Sequence, residues 1–155
     1  MIRQVLPLLL AAAFAASGQK YTGPKPPKPD LPYLKHAEQL VPTEPAEAKE
    51  EKKKDDSLYT IAGANSSAKT PLAEPIFIYQ SEKIPPENLQ LYKLESKAGH
   101  REILFPKKKP PEPIRVEVTR LDGNLYRLEV YNGLEPGEYS LSPKDSNAVF
   151  CFQVF

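Results

Sequence analysis

Short runs of β-branched, aromatic and aliphatic residues, separated by turn-forming residues, characterise the chain from Leu58 onward. In Ile114–Thr119 and in Tyr126–Val130, apolar side chains occupy every second position, with charged or polar side chains between them. This period of two is typical of antiparallel strands that bury one face. Asp122-Gly123-Asn124 separates the two runs and predicts a tight hairpin turn, because Gly and Asn tolerate the positive φ that such a turn requires.

Eight such runs predict an all-β domain over residues 58–155. No helical periodicity competes with them, and ten prolines lie between the runs or at their ends, where a missing amide donor costs little. We therefore predict an antiparallel sandwich of about seven or eight strands. The predicted strands are Leu58–Ala62, Pro75–Gln80, Gln90–Glu95, Glu102–Phe105, Ile114–Leu121, Leu125–Tyr131, Glu138–Ser142 and Ala148–Phe155.

Residues 19–57 have a different composition. Only four of these 39 residues are Leu, Ile, Val or Phe, against 27 of the 98 residues from Leu58 to Phe155. So few large apolar side chains do not offset the entropy of ordering a chain. We therefore predict a disordered arm, rich in proline and charge, that precedes the sandwich.

Two parts of this arm differ in character. Gly23–Pro32 holds five prolines and favours an extended polyproline II spacer, while Glu44–Asp56 has the composition of a mixed-charge tether. A P-x-x-P pattern in the first part could instead dock in an aromatic groove. The arm's apolar cluster, Pro32–Leu34 with Leu40 and Val41, could alternatively fold back onto the domain.

The beginning of the chain has the layout of a secretory signal. Arg3 precedes the apolar run Val5–Phe14, and small residues follow as far as Gly18. A membrane-spanning helix needs about 20 apolar residues, so this run is too short. We predict that residues 1–18 are a signal peptide and that the mature protein is periplasmic or extracellular, without an integral membrane span.

Charge and cysteine content exclude several classes of function. Lys and Arg total 21 and Asp and Glu total 20, and basic and acidic residues balance separately in residues 19–57 and in residues 58–155. A nucleic-acid binder normally carries a basic excess, so we expect no nucleic-acid partner. A single cysteine cannot form the intramolecular disulfides of a disulfide-rich fold, and it cannot supply the clustered thiolates of a metal-binding module.

The stretch Leu134–Leu141 reads LEPGEYSL and resembles the L-x-P-G-x-Y-x-L stretch that enters a late strand in fibronectin-III-like and prealbumin-like β-sandwiches of secreted proteins. The resemblance implies an immunoglobulin-like sandwich in which the Tyr139 ring packs in the core and its hydroxyl bonds to nearby backbone, a tyrosine corner. The run Ala148–Phe155 would then pair with this strand. The whole ending, with its F-x-F-x-V pattern, is similar to that of uncharacterised exported bacterial proteins, which implies export and a β-domain.

Few side chains are candidates for chemistry. Cys151 lies between two Phe positions and is expected to be a buried structural thiol, with an intermolecular disulfide as the alternative. His36 and His100 lack metal-ligand spacing, so we predict no metal and no other cofactor. Nucleotide-binding and nucleophile-elbow motifs are also missing, and we expect no catalytic residue. The alternative is a small secreted hydrolase in which His100 meets a hydroxyl and an acid, for example Ser146 and Asp145.

Together these observations favour an exported, non-catalytic binding or structural module of the periplasm or cell surface. Its partner would be another exported protein or a component of the cell envelope. An inhibitor or chaperone that adds to an edge strand is a further alternative. Ligands are expected at loops, which tolerate variation. The candidate ligand loops contain Lys107, Lys108 and Lys109 in one connection, and Lys144, Asp145 and Asn147 in another.

Overall fold

The computed structural model describes residues 20–155, which contain thirteen strands and one short 3-10 helix. This confirms the all-β prediction, whereas the predicted signal peptide lies outside the described residues. The strands are β1 Tyr33–His36, β2 Gln39–Pro42, β3 Glu44–Glu47, β4 Lys49–Lys53, β5 Asp56–Ala62, β6 Lys69–Thr70, β7 Ile76–Gln80, β8 Leu89–Lys97, β9 His100–Phe105, β10 Glu117–Asp122, β11 Leu125–Glu129, β12 Gly137–Pro143 and β13 Ala148–Val154, and the 3-10 helix is Pro86–Asn88.

The strands form two sheets. The five-stranded sheet has the order β10-β11-β7-β1-β2, and the eight-stranded sheet has the order β3-β13-β12-β8-β9-β5-β4, with β6 beside β13. β6 pairs with β13 in parallel, while the other strand pairs are antiparallel. β8 serves two neighbours, because Leu89–Leu94 pairs with β12 and Glu95–Lys97 pairs with β9.

Each of the eight predicted strands has a counterpart in the structure. The clearest difference is at Ile114, which forms only an isolated bridge with Leu91, so that β10 begins at Glu117. The predicted hairpin joins β10 to β11, and Gly123 takes a φ of 52° in its turn. The additional strands are β1–β4, which precede the predicted domain, and the two-residue strand β6.

The main hydrophobic core lies between the two sheets. Phe77 of β7 and Leu128 of β11 meet Leu91, Leu141 and Phe152 of the larger sheet, and all five side chains are completely buried. The rings of Phe77 and Phe152 pack edge to face, with centroids 5.1 Å apart. The period-two alternation of these strands places one side chain in two against the facing sheet, and this produces a sandwich.

The eight-stranded sheet also curls back on itself. Only Ala48 separates β3 from β4, yet β3 pairs with β13 near one edge of the sheet and β4 pairs with β5 at the other. The continuous segment Glu44–Lys53 therefore brings the two edges together. The face of this sheet that points away from the main core encloses a second core, whose buried members are Ala48, Ile61, Leu94, Val149 and Cys151.

The structure corrects the prediction of a disordered arm over residues 19–57. Residues 33–53 contain β1–β4, and β5 begins at Asp56. Backbone pairing accounts for this order, since β1 pairs with β7 and β3 with β13, so the segment needs few large apolar side chains of its own. The cluster that could fold back does so, because Tyr33 and Leu34 are buried. The domain therefore begins well before residue 58.

Asp30 attaches the proline-rich segment to the sandwich. Its backbone amide donates to Gln80 at 2.8 Å, and its carboxylate accepts hydrogen bonds from the backbone amides of Glu82, Lys83 and Ile84 at 2.9–3.1 Å. Desolvation opposes ionisation of Asp30, but these donors outweigh it and hold its pKa below the ordinary value. The segment that was expected to be a free spacer is thus docked at one end.

Candidate functional site

A cavity of about 430 Å³ opens at one end of the curled sheet. Strands β4, β5, β8, β9, β12 and β13 contribute its walls, together with the β12–β13 turn. This volume is within the range of small-molecule sites in proteins. The lining residues are Ala48, Glu50, Tyr59, Ile61, Gln90, Tyr92, Leu94, Ile103, Phe105, Ser140, Ser142, Pro143, Lys144, Asp145, Ser146, Asn147 and Val149.

The cavity changes from apolar to polar along its depth. Ile61, Leu94 and Val149, which belong to the second core, form its floor. Polar side chains lie toward the opening, where the β12–β13 turn contributes the exposed residues Lys144–Asn147. The cavity therefore suits a molecule with an apolar body that enters first and a polar group that remains at the mouth.

Three aromatic rings form one wall of the cavity. Phe105 of β9 packs edge to face against Tyr59 of β5 and against Tyr92 of β8, with ring centroids 5.3 Å apart in both pairs. The Tyr92 hydroxyl donates to Gln90 at 3.2 Å, and desolvation raises the pKa of Tyr92. Such a wall offers apolar contact area with little rotamer freedom to lose on binding.

The charged residues of the lining differ in their pairing. Glu50 accepts a hydrogen bond from the Ser57 hydroxyl at 2.9 Å and lies 3.3 Å from the Lys52 ammonium, and these contacts lower its pKa. Lys144, by contrast, forms no ion pair with any residue in the 20–155 range. Of the three charged residues of the lining, Glu50 is therefore paired, whereas Lys144 and its neighbour Asp145 form no ion pair within residues 20–155.

The two predicted ligand loops occupy different positions relative to the cavity. Lys144, Asp145 and Asn147 line it directly. Lys107, Lys108 and Lys109 are exposed and outside the lining, although they follow the lining residue Phe105 closely in sequence. The backbone amide of Lys107 donates to Asp56 at 3.1 Å, which holds this loop beside the β4–β5 turn at the same end of the sheet.

A buried ionic cluster closes the opposite end of the curled sheet. Arg101 is only 1% exposed and lies 2.8 Å from a carboxylate oxygen of Glu44, a close ionic contact rather than a well-aligned hydrogen bond. Its other nitrogens donate to the carbonyls of Ala62 and Gly63 at 2.7 and 2.9 Å. Arg101 therefore joins β3 to the connection that follows β5.

Glu138 is the second carboxylate of this cluster. It is 4% exposed and accepts a hydrogen bond from the backbone amide of Ser66 at 2.6 Å. Desolvation raises its pKa, although the Ser66 amide and the Arg101 charge act in the opposite direction. The segment 63–68 is thereby held across the end of the sheet opposite the β12–β13 turn.

Two residues that the sequence singled out as structural are deeply buried. The Tyr139 ring stacks on Phe152 in the main core, and its hydroxyl donates to the carbonyl of Glu135 at 2.7 Å, the contact that the resemblance implied for a tyrosine corner. Cys151 is completely buried, and desolvation raises its pKa to about 12. A thiol in this state is a poor nucleophile and is not accessible for a disulfide with another chain.

His100 does not line the cavity. It is the first residue of β9, about 10 Å along the strand from Ile103, the nearest lining residue of β9. Its ring forms a contact of 2.9 Å with the Glu102 carboxylate, and it borders a smaller depression of about 290 Å³. Ser146 and Asp145 lie at the cavity, so the structure does not bring this proposed triad together.

Three further findings complete the description of the site. In residues 20–155, no three side chains among His, Cys, Asp and Glu are grouped so that they could hold a metal ion. The same residues include no helix long and apolar enough to cross a membrane. Comparison of the chain with models of protein families, with curated proteins and with solved structures finds no match in any of the three.

Sequence reasoning identified one part of the cavity and missed the rest. The β12–β13 turn was found because a polar loop between two apolar strands is a common place for ligands. The aromatic wall was not found, since Tyr59, Tyr92 and Phe105 lie on three strands and look like ordinary core residues in the sequence. Each lies in a run that the sequence predicted as a strand, but a strand prediction does not tell which side chains share one cavity.

Proposed function

We propose that this protein is an exported, non-catalytic binding module of the periplasm or cell surface that holds a small ligand in the cavity of the curled sheet. The observation that carries this proposal is the cavity itself, with its apolar floor, aromatic wall and polar mouth. Sites of this shape bury most of a small ligand and orient it with a few polar groups. Cys151, which is fully buried, and the two histidines, His36 and His100, are all outside the lining of the cavity.

A bulky side chain placed inside the cavity should strongly weaken the binding of a small ligand. Ser142 is a half-buried residue of the lining, so the Ser142→Trp variant should place an indole in the space that a ligand would occupy. Small molecules that shift the amide resonances of Gln90, Tyr92 and Asn147 in a two-dimensional NMR screen should lose affinity for this variant by about tenfold or more.

The Thr119→Trp variant is the matched control, because Thr119 is exposed on β10 of the other sheet and does not line the cavity. It should bind the same molecules as the unmodified protein. Equal binding by both variants, or molecules that shift only resonances remote from the cavity, would show that this cavity is not the binding site.

The exported location rests on the sequence of residues 1–18. When the complete chain is produced in a bacterial host, the protein recovered from the envelope fraction should lack these residues, since cleavage is expected near Ser17 or Gly18. Intact mass spectrometry measures this directly. A full-length chain that remains in the cytosolic fraction would contradict export while leaving the proposal of ligand binding in place.

The edge strand β10 favours this proposal over an inhibitor or chaperone that adds a strand at that edge. β10 lies at one edge of the five-stranded sheet, and its pairing shifts register between Arg120 and Asp122. Charged residues, including Glu117, also occur along this strand. Irregularity and charge are features that protect an edge from pairing with another chain.

A further inference from the structure

We propose that the ligand of the cavity is an organic anion with an apolar body, such as a medium-chain carboxylate. This inference rests on the proposed binding function and specifies the chemical class of the ligand. The apolar floor of Ile61, Leu94 and Val149 defines the body, because these side chains offer no polar partner, whereas the walls also carry the hydroxyls of Tyr59, Tyr92 and β12.

The hydroxyls of Ser140 and Ser142 on β12 are already hydrogen-bonded to each other. The Ser140 and Ser142 oxygens are 3.0 Å apart, so this pair satisfies at least one donor and one acceptor without a ligand. A molecule that is polar on all sides would leave unpaired those of its groups that face Ile61 and Val149. The floor therefore selects an aliphatic or aromatic group.

The charged residues at the mouth of the cavity determine which sign of charge the polar group of the ligand should carry. Glu50 is already matched by Lys52, whereas Lys144 has no ion-pair partner in the part of the chain that is described. The exposed Asp145 offsets Lys144, and the two lysines and two aspartates of residues 53–56 in the β4–β5 turn offset each other, so the excess charge at this end of the sheet comes from the three exposed cations Lys107, Lys108 and Lys109. The balance of charge at the opening thus favours an anion.

The inference can be tested by comparing the binding of octanoate with that of 1-octanol and octylammonium, which have the same alkyl chain and different head groups. Calorimetric titration of the intact protein at low salt should give tighter binding for octanoate than for octanol, by about threefold to tenfold, and the weakest binding for octylammonium. The amide resonances of residues in the lining should shift with octanoate, and its affinity should fall as salt is added.

Charge variants at the mouth should change the affinity for octanoate alone. Lys144→Ala should weaken octanoate binding by about threefold to fivefold, and Asp145→Asn should strengthen it by a similar factor, while binding of octanol should stay the same. The triple variant Lys107→Ala, Lys108→Ala, Lys109→Ala should weaken octanoate binding further. Lys28→Ala is the control, because Lys28 is exposed in the proline-rich segment and does not line the cavity.

The outcomes separate this inference from the function on which it rests. Octanol or octylammonium binding in the cavity at least as tightly as octanoate would overturn the anionic ligand and leave the binding module intact. Equal effects of Lys144→Ala and Lys28→Ala on octanoate would also overturn it. If none of the three molecules shifts resonances of the lining, the apolar-bodied ligand is wrong, and the Ser142→Trp screen decides whether the cavity binds anything else.

Discussion

Replacing Arg101 by methionine is expected to lower the free energy of unfolding by about 3–5 kcal/mol, because it removes the cation from a buried ionic cluster. Arg101 contacts Glu44 at 2.8 Å and bonds to two carbonyls at the closed end of the curled sheet. Methionine fills a similar volume but leaves Glu44 and the buried Glu138 without their positive partner. Urea denaturation followed by circular dichroism measures the loss.

The effect of Arg101→Met should depend on pH. Desolvation raises the pKa of Glu138, so its ionised form is less favourable in the folded state than in the unfolded state. Such a group contributes stability that is full below its unfolded pKa, near 4.5, and is lost as the pH rises through the folded value. Arg101 favours the ionised form of Glu138, and its removal therefore raises the pKa of Glu138 further. The loss of unfolding free energy caused by Arg101→Met should therefore be larger at pH 7.5 than at pH 4.5.

The matched control for this substitution is Arg115→Met. Arg115 also pairs with a glutamate, Glu117, at 2.9 Å, but 76% of its side chain is exposed. Exposed pairs contribute about 0–1 kcal/mol, so this variant should unfold almost as the unmodified protein does. Similar losses from Arg101→Met and Arg115→Met would show that the buried cluster does not stabilise the fold. The double variant Arg101→Met, Glu138→Gln should recover part of the loss.

Truncation of Phe152 to alanine is expected to cost about 3–5 kcal/mol of unfolding free energy through loss of buried area and the cavity left behind. Phe152 is completely buried on β13 and touches both sides of the main core. It packs edge to face with Phe77 at 5.1 Å and stacks on Tyr139 at 5.6 Å. Its removal therefore weakens the contact that joins the two sheets.

Phe155→Ala makes the same chemical change on the surface. Phe155 is 65% exposed, so its truncation should alter the unfolding free energy by no more than about 0.5 kcal/mol. Thermal unfolding of the two variants side by side gives the comparison. A Phe152→Ala protein with the stability of Phe155→Ala would mean that the sheets are not held together at this point. Phe152→Leu, which keeps most of the volume, should lose less than Phe152→Ala.

The extent of successful prediction differs between the strands and the site. Apolar runs between turn-forming residues located β5 and β7–β13, with clear alternation in β10 and β11, because both patterns are local properties of the chain. The turn at Asp122–Asn124 was local as well, since Gly123 adopts the positive φ that its residue type permits. The prediction of disorder for residues 33–57 was wrong, because the order of this segment comes from pairing with β7 and β13, and composition does not reveal such pairing.

The sequence by itself determined that this protein is built of strands, where most of them lie, and that Tyr139 and Cys151 are buried in its core. Only the tertiary structure decided that Glu44–Lys53 joins both edges of one sheet and that Tyr59, Tyr92 and Phe105 share a cavity above Ile61. The reason is physical: alternation depends on neighbours along the chain, whereas a curled sheet and its cavity depend on which distant strands pair.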